Sequence, residues 1–120
     1  MPHSSKPIVC ICGSDNIDYI DLDKYIDPSH VGEVISGESF GIDGIARDWA
    51  FKNKIEYVEF KPNFDIWGED AVFERDKDMI RFCDMAIIFW NGKCKSIAAI
   101  LNFIINHNYN YILHIVKNTD

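Results

Sequence analysis

Three short segments carry side chains that could bind or transform a small anion. Asn91-Gly92-Lys93-Cys94-Lys95-Ser96 sets two lysines just ahead of an apolar helical pattern, in a chain whose formal charge is −7. Positive charge beside helix N–H groups that lack internal partners makes an anion site. Lysine is also not what a helix start selects for its own stability. Ser96 is the expected N-cap. The competing reading is two solvated lysines.

The segment Ser36-Gly37-Glu38-Ser39-Phe40-Gly41-Ile42-Asp43 spaces two glycines between a strand end and a helix start. That arrangement lets backbone N–H groups approach a phosphate. It is neither a G-x-G-x-x-G fingerprint nor a Walker A loop, because no Gly-Lys-Ser/Thr follows. Carboxylates at Glu38 and Asp43 repel phosphate but suit ribose hydroxyls or general acid–base work. Asp43 is also what any helix prefers in its first turn; Glu38 has no such structural reason. Gly13-Ser14-Asp15 is the third segment. Gly13 permits a sharp turn, and Ser14 offers a hydroxyl and an N–H to an oxygen ligand. Arg75 lies in Glu74-Arg75-Asp76-Lys77-Asp78, which by itself reads as a solvent face with local ion pairs. The four histidines and four cysteines have no metal-ligand spacing, so no metal and no cofactor is expected.

These segments need a frame to hold them. Residues 7–12 (PIVCIC), 31–36 (VGEVIS), 55–60 (IEYVEF), 85–90 (MAIIFW) and 111–116 (YILHIV) read as strands. The 85–90 run is apolar throughout, which marks an interior strand of a parallel sheet. Ile42, Ile45, Ala46, Trp49 and Ala50 form one helical stripe, and Ile97, Ala98, Leu101, Ile104 and Ile105 another. A charged helix is predicted over about residues 69–82. A weakly patterned first helix runs from Ile17 through Ile20 and Tyr25 to Ile26, ended by Pro28. Strict alternation predicts an α/β, Rossmann-like three-layer sandwich: a five-stranded, mainly parallel sheet with helices on both faces. Ligands of such sheets sit outside the carboxyl ends of the strands, where strand order reverses. That rule selects the loops after strands one, two and four, the three segments above.

One domain over residues 7–116 is expected, between a disordered tail at 1–6 and a tail at 117–120. An acidic chain, with 19 Asp and Glu against 12 Lys and Arg, repels polyphosphate, so non-specific nucleic-acid binding is not expected. No run reaches the roughly 20 apolar residues of a membrane span, and the polar start is no signal peptide, so a cytoplasmic protein with no membrane partner is expected. Cys10 and Cys12 point the same way on a strand; four reduced thiols are expected. Trp67, Phe73 and Phe82 near the third helix point to a homodimer.

Taken in order and spacing, VCICGSDNID, VISGESFGIDGIARDWA, VEFKPNFDIWG, FERDKDMIRFCDMAIIFWNGKCKSI and YILHIV resemble the SLOG superfamily, in particular its short YspA/YpsA-related proteins. The resemblance implies a Rossmann-like sheet with a pocket for nucleotides or nucleotide-derived molecules. It also implies a sensor or sequestering role, such as relatives are proposed to play in bacterial and phage conflict. It raises Arg75 to a pocket residue. Related LOG enzymes cleave a nucleotide N-glycosidic bond using a Pro-Gly-Gly-x-Gly-Thr loop followed by glutamate. This chain has Asn91-Gly92-Lys93-Cys94-Lys95-Ser96-Ile97 there, without the second glycine, the threonine or the glutamate. It also has Glu38 and Ser39 in place of a glycine and a small residue, and Arg75-Asp76 in place of Arg-Asn. A binding module is therefore expected, with Gly13, Ser14, Ser36, Gly37, Gly41, Arg75, Asn91, Gly92, Lys93, Lys95 and Ser96 around the ligand. The alternative is an N-glycosidic hydrolase using Glu38 or Asp43.

Overall fold

A computed structural model describes residues 6–38 and 41–117. The terminal tails expected from the sequence, and Ser39 and Phe40 of the second loop, lie wholly or almost wholly outside the described residues. Five strands form one sheet: β1 (Ile8–Gly13), β2 (Glu33–Ser36), β3 (Glu56–Glu59), β4 (Met85–Trp90) and β5 (Tyr111–Ile115). The spatial order is β3-β2-β1-β4-β5, and every neighbouring pair is parallel. The chain runs outward from β1 through β2 to β3, then returns to lay β4 on the other side of β1. Strand order thus reverses between β1 and β4, and the loops that follow these two strands flank the switch point.

Period-two alternation in the central strands feeds two cores. Val9 and Ile11 of β1, Val34 of β2, and Ile87 and Phe89 of β4 face one layer, with α1 (Ile42–Lys52) packed over them through Ala46, Trp49 and Ala50. Cys10, Cys12, Ile35, Ala86 and Ile88 face the other. There α3 (Ala71–Phe82) contributes Met79 and Ile80, and α4 (Lys95–Asn106) contributes Ile97, Ile100, Leu101 and Ile104. β4 is buried along its centre, as its unbroken apolar run requires, whereas β3 at one edge is half open and carries Glu56 and Glu59. All four cysteines are free thiols.

The first crossover corrects the expectation of a helix. The segment between β1 and β2 forms two short 3-10 turns, Leu22–Lys24 and Pro28–His30. The Asp21 carboxylate accepts from the Asp23 N–H at 3.1 Å, and the Asp27 carboxylate from the Ser29 N–H at 2.9 Å. Aspartates that offer backbone N–H groups a local acceptor favour caps and turns over helix interior. Pro28 accordingly starts a turn rather than ending a helix. Ile17, Ile20, Leu22 and Ile26 still pack into the α1-side core, so burial survives without regular structure. The third crossover is also more elaborate than expected. A short helix α2 (Phe64–Trp67), capped by the Asn63 side chain, fills part of the segment between β3 and the charged helix; a 3-10 turn at Gly68–Asp70 then precedes α3.

At the end of β1, Gly13 is a steric requirement. A Cβ there would lie 2.5 Å from the Phe89 carbonyl oxygen and 2.6 Å from the Ile42 side chain. The absent side chain lets β1, β4 and the start of α1 meet beneath the switch-point loops. Gly13→Ala is expected to destabilise the protein by about 1–3 kcal/mol, the usual cost of overpacking a tight core site. Denaturant unfolding measures this; unchanged stability would refute the steric argument.

Candidate functional site

Among the described residues, the buried polar or charged side chains are Ser14, Ser36, Asp43 and Arg75. All four belong to the segments nominated from the sequence, and they lie at or beside the carboxyl ends of β1 and β2. Around them the structure builds two connected clusters.

The first cluster joins the loops after β1 and β4. The Ser14 backbone N–H donates to the Phe89 carbonyl at 3.0 Å, and the Ser14 hydroxyl accepts from the Asn91 N–H at 3.1 Å. The Asn91 side-chain amide donates to the Asn16 side-chain oxygen at 2.9 Å. The Asn91 Oδ1 accepts from the N–H groups of Lys93 and Cys94 at 2.8 and 2.9 Å. Trp90 adds a bond from its ring nitrogen to the Cys94 carbonyl at 3.0 Å, and Gly92 takes the left-handed conformation that closes this loop, with φ +83°. Asn91 thus serves the loop itself and locks it to β1.

This wiring corrects the expected cap of α4. The N-cap is Cys94, Lys95 is the first helical residue, and Ser96 lies in the first turn with its hydroxyl 3.2 Å from the Cys94 sulfur. Asn91 occupies the role foreseen for Ser96 because it already satisfies the two N–H groups that precede the helix. Gly92, Lys93, Lys95 and Ser96 are exposed. Among the described residues neither lysine forms an ion pair with an acid.

The second cluster lies at the end of β2. Gly37 is buried, and a Cβ on it would meet the Arg75 guanidinium at 2.5 Å and the Asp43 carboxylate at 2.8 Å. A cation from α3 and an anion from α1 therefore converge on one glycine backbone. Arg75 is 6% exposed. Its Nε–H donates to Asp76 at 2.7 Å and Nη1 to the Phe60 carbonyl at 3.1 Å, so part of its donor fork is committed to protein acceptors. This departs from the solvent-face reading of the 74–78 segment. The Ser36 hydroxyl sits 2.6 Å from the Tyr57 hydroxyl.

The two clusters touch. Gly41 has φ +75°, and a Cβ there would lie 2.8 Å from the Asp15 carbonyl oxygen; the loops after β1 and β2 are thus in close approach. Glu38 stands exposed in the second loop. Asp15, in the loop after β1, also acts on Asp76. Burial pushes the Asp76 carboxyl above its ordinary value of 3.8, Arg75 pulls it back, and the Asp15 charge pushes it up further. Tyr57 is raised above 10.0 chiefly by burial, against the pull of its Ser36 bond.

Tyr57 and Asp76 did not emerge as candidate site residues from the sequence. Tyr57 falls on the inward face of an alternating strand, where it reads as core. The available signal was its hydroxyl, since a tyrosine turned inward needs a hydrogen-bond partner. Asp76 sits in a charge run whose burial no local pattern announces. Among the described residues, no group of three or more His, Cys, Asp or Glu side chains is placed to hold a metal ion, and no helix is long and apolar enough to cross a membrane.

The strand ends thus carry hydrogen-bonded hydroxyls, one buried cation and carboxylates. Compared with known proteins, the chain matches no family model, no curated protein and no solved structure.

Asp76 supplies a pH test. Its pKa is higher in the folded than in the unfolded chain, so the folded state holds the proton to higher pH. The stability penalty of its ionisation is absent below 3.8 and grows as pH rises through the folded value. Asp76→Asn removes this titration. Urea unfolding from about pH 3.5 to 7 should show wild type losing stability relative to the variant as pH rises, then levelling. A difference that is flat or grows in favour of wild type contradicts the assignment.

Proposed function

We propose that this chain is a small-molecule binding domain for a nucleotide or nucleotide-sugar-derived ligand, acting as a cytoplasmic sensor or sequestering protein of the SLOG type. One observation carries the reading: the polar side chains buried among the described residues gather at strand ends beside the switch point. Burying hydroxyls and charges is costly unless they are bonded, and parallel α/β sheets place their ligands at this location.

The chemistry divides along the crevice. Gly37 and Gly41 bring backbone close to the ligand, with Gly13, Ser14, Ser36 and Asn91 holding the loop ends. Lys93, Lys95, Ser96 and the first N–H groups of α4 receive phosphate, and Arg75 beside Gly37 is a further cation of the site. The side chains of Asp43 and Glu38 suit ribose hydroxyls. Hydrolysis of an N-glycosidic bond is the second reading, supported by the buried Asp43 carboxylate beside Arg75 at Gly37. In that case a carboxylate stabilises the ribosyl cation or activates water. Incubation with nucleoside monophosphates, diphosphates and nucleotide sugars separates the two. The binding reading expects heat of binding without free base, whereas release of base selects hydrolysis. Neither binding nor release across the panel overturns both.

The lysine pair gives a sharper test. Each charge-assisted contact to phosphate contributes on the order of 1.5–3 kcal/mol. Lys93→Ala with Lys95→Ala is expected to weaken binding of the best ligand in the panel by at least about tenfold, at fixed salt. The fold should be unaffected, because both side chains are exposed and loss of positive charge at a helix start is mildly favourable. Equal affinities in two well-folded proteins would show that the lysines are only solvated.

A further inference from the structure

The two edges of the sheet are unlike. β3 carries Glu56 and Glu59 and spans only Glu56–Glu59, a short, charged edge of the kind that resists pairing with another chain. β5 has no charged residue and exposes apolar groups on both faces, with Tyr111 39%, Ile112 44% and Ile115 57% exposed. Ile105 of the adjoining α4 is 53% exposed. The uncharged stretch is long. In a chain that is 26% charged, residues 96–116 contain no Asp, Glu, Lys or Arg.

The backbone of β5 is also available. Asn110 accepts from the Ala86 N–H, and Val116 donates to Trp90 at 2.8 Å. In a parallel ladder, alternate residues turn both peptide groups to the same neighbour. The even-numbered residues of β5 therefore face β4, and the N–H and C=O groups of Tyr111, Leu113 and Ile115 point outward from the end of the sheet.

We propose that this edge is a homodimer interface, in which β5 pairs antiparallel with β5 of a second copy and the two sheets become continuous. A second copy fits for a reason of charge. Two molecules of net charge −7 repel wherever their acids meet, and they approach at least cost along the one long stretch without charges. The pairing is self-complementary about a two-fold axis through Leu113. Tyr111 then lies opposite Ile115 of the other copy, Ile112 opposite His114, and Leu113 opposite itself, so no like charges are juxtaposed. Tyr111, Leu113 and Ile115 become the hydrogen-bonded pairs, matching the groups that point outward. This places the dimer on β5 rather than on the Trp67, Phe73 and Phe82 surface expected from the sequence, and it stands independently of the crevice and its ligand.

Light scattering and sedimentation over a dilution series test it, with the double variant Ile112→Lys, Ile115→Lys and a control, Phe82→Lys, on α3. Wild type and the control should be dimers. The double variant should keep its far-UV circular dichroism and raise the dimer dissociation constant by at least about tenfold. Hydrogen exchange on wild type gives a readout that does not depend on the variants folding: the Tyr111, Leu113 and Ile115 amides should be protected at high concentration and exchange freely on dilution. A monomeric wild type at every concentration overturns the proposal. So does a folded double variant that still dimerises, a dimer lost in Phe82→Lys alone, or a dimer in which those three amides exchange freely.

Discussion

A buried guanidinium has to be matched within the fold, and Arg75 imposes that demand beside the carboxyl ends of β2 and β3. At 6% exposure it has little contact with water, so its charge must be met by acceptors fixed in place. Asp76 supplies an anion from the next residue, the Phe60 carbonyl accepts from just beyond β3, and Gly37 gives up a side chain so that the planar group can lie against backbone. Helix α3 is thereby tied to the ends of β2 and β3. The raised pKa of Asp76 reports the balance: burial costs its carboxylate more than Arg75 returns. Removing either partner leaves the other without its match, so the pair acts as one structural unit at the wall of the crevice.

On the opposite side of the crevice the constraint is neutral. Ser14 and Asn91 join β1 to β4 through one hydroxyl, and Asn91 satisfies two N–H groups ahead of α4. Bonds of this neutral kind contribute on the order of 1 kcal/mol each, but their geometric effect exceeds their energy. They set where the first turn of α4 begins and which N–H groups are already satisfied ahead of it. A hydrogen-bonded loop here and a salt-linked cluster beyond β2 hold the loops at the two strand ends in place through contacts within the protein.

Charge is unevenly distributed over the molecule. Acids cluster in the first crossover and around the crevice, two exposed lysines mark the start of α4, and the α4–β5 unit carries no formal charge beyond Lys95. The crevice end and the β5 edge therefore present different chemistry: one is polar and mixed in sign, the other apolar with open backbone. The strand order places these two surfaces on different parts of the sheet.

The amino-acid sequence by itself determined the architecture. Apolar period-two runs and helical stripes have few packings other than a parallel sheet between helices, and the unbroken 85–90 run could only lie inside. It also singled out Ser14, Ser36, Asp43 and Arg75, although a resemblance rather than the local pattern raised Arg75 above a solvent-face reading. Tertiary structure alone decided the rest. Aspartate side chains competing for backbone N–H groups turned the first crossover into 3-10 turns, and Asn63 capped a short helix ahead of the charged one. The Tyr57–Ser36 bond, the Asp76–Asp15 coupling and the Asn91 cap each join residues whose roles depend on neighbours brought close by the fold or on loop geometry. Periodicity reports which face of an element avoids water. Which polar group waits there as a partner is settled only when the elements pack.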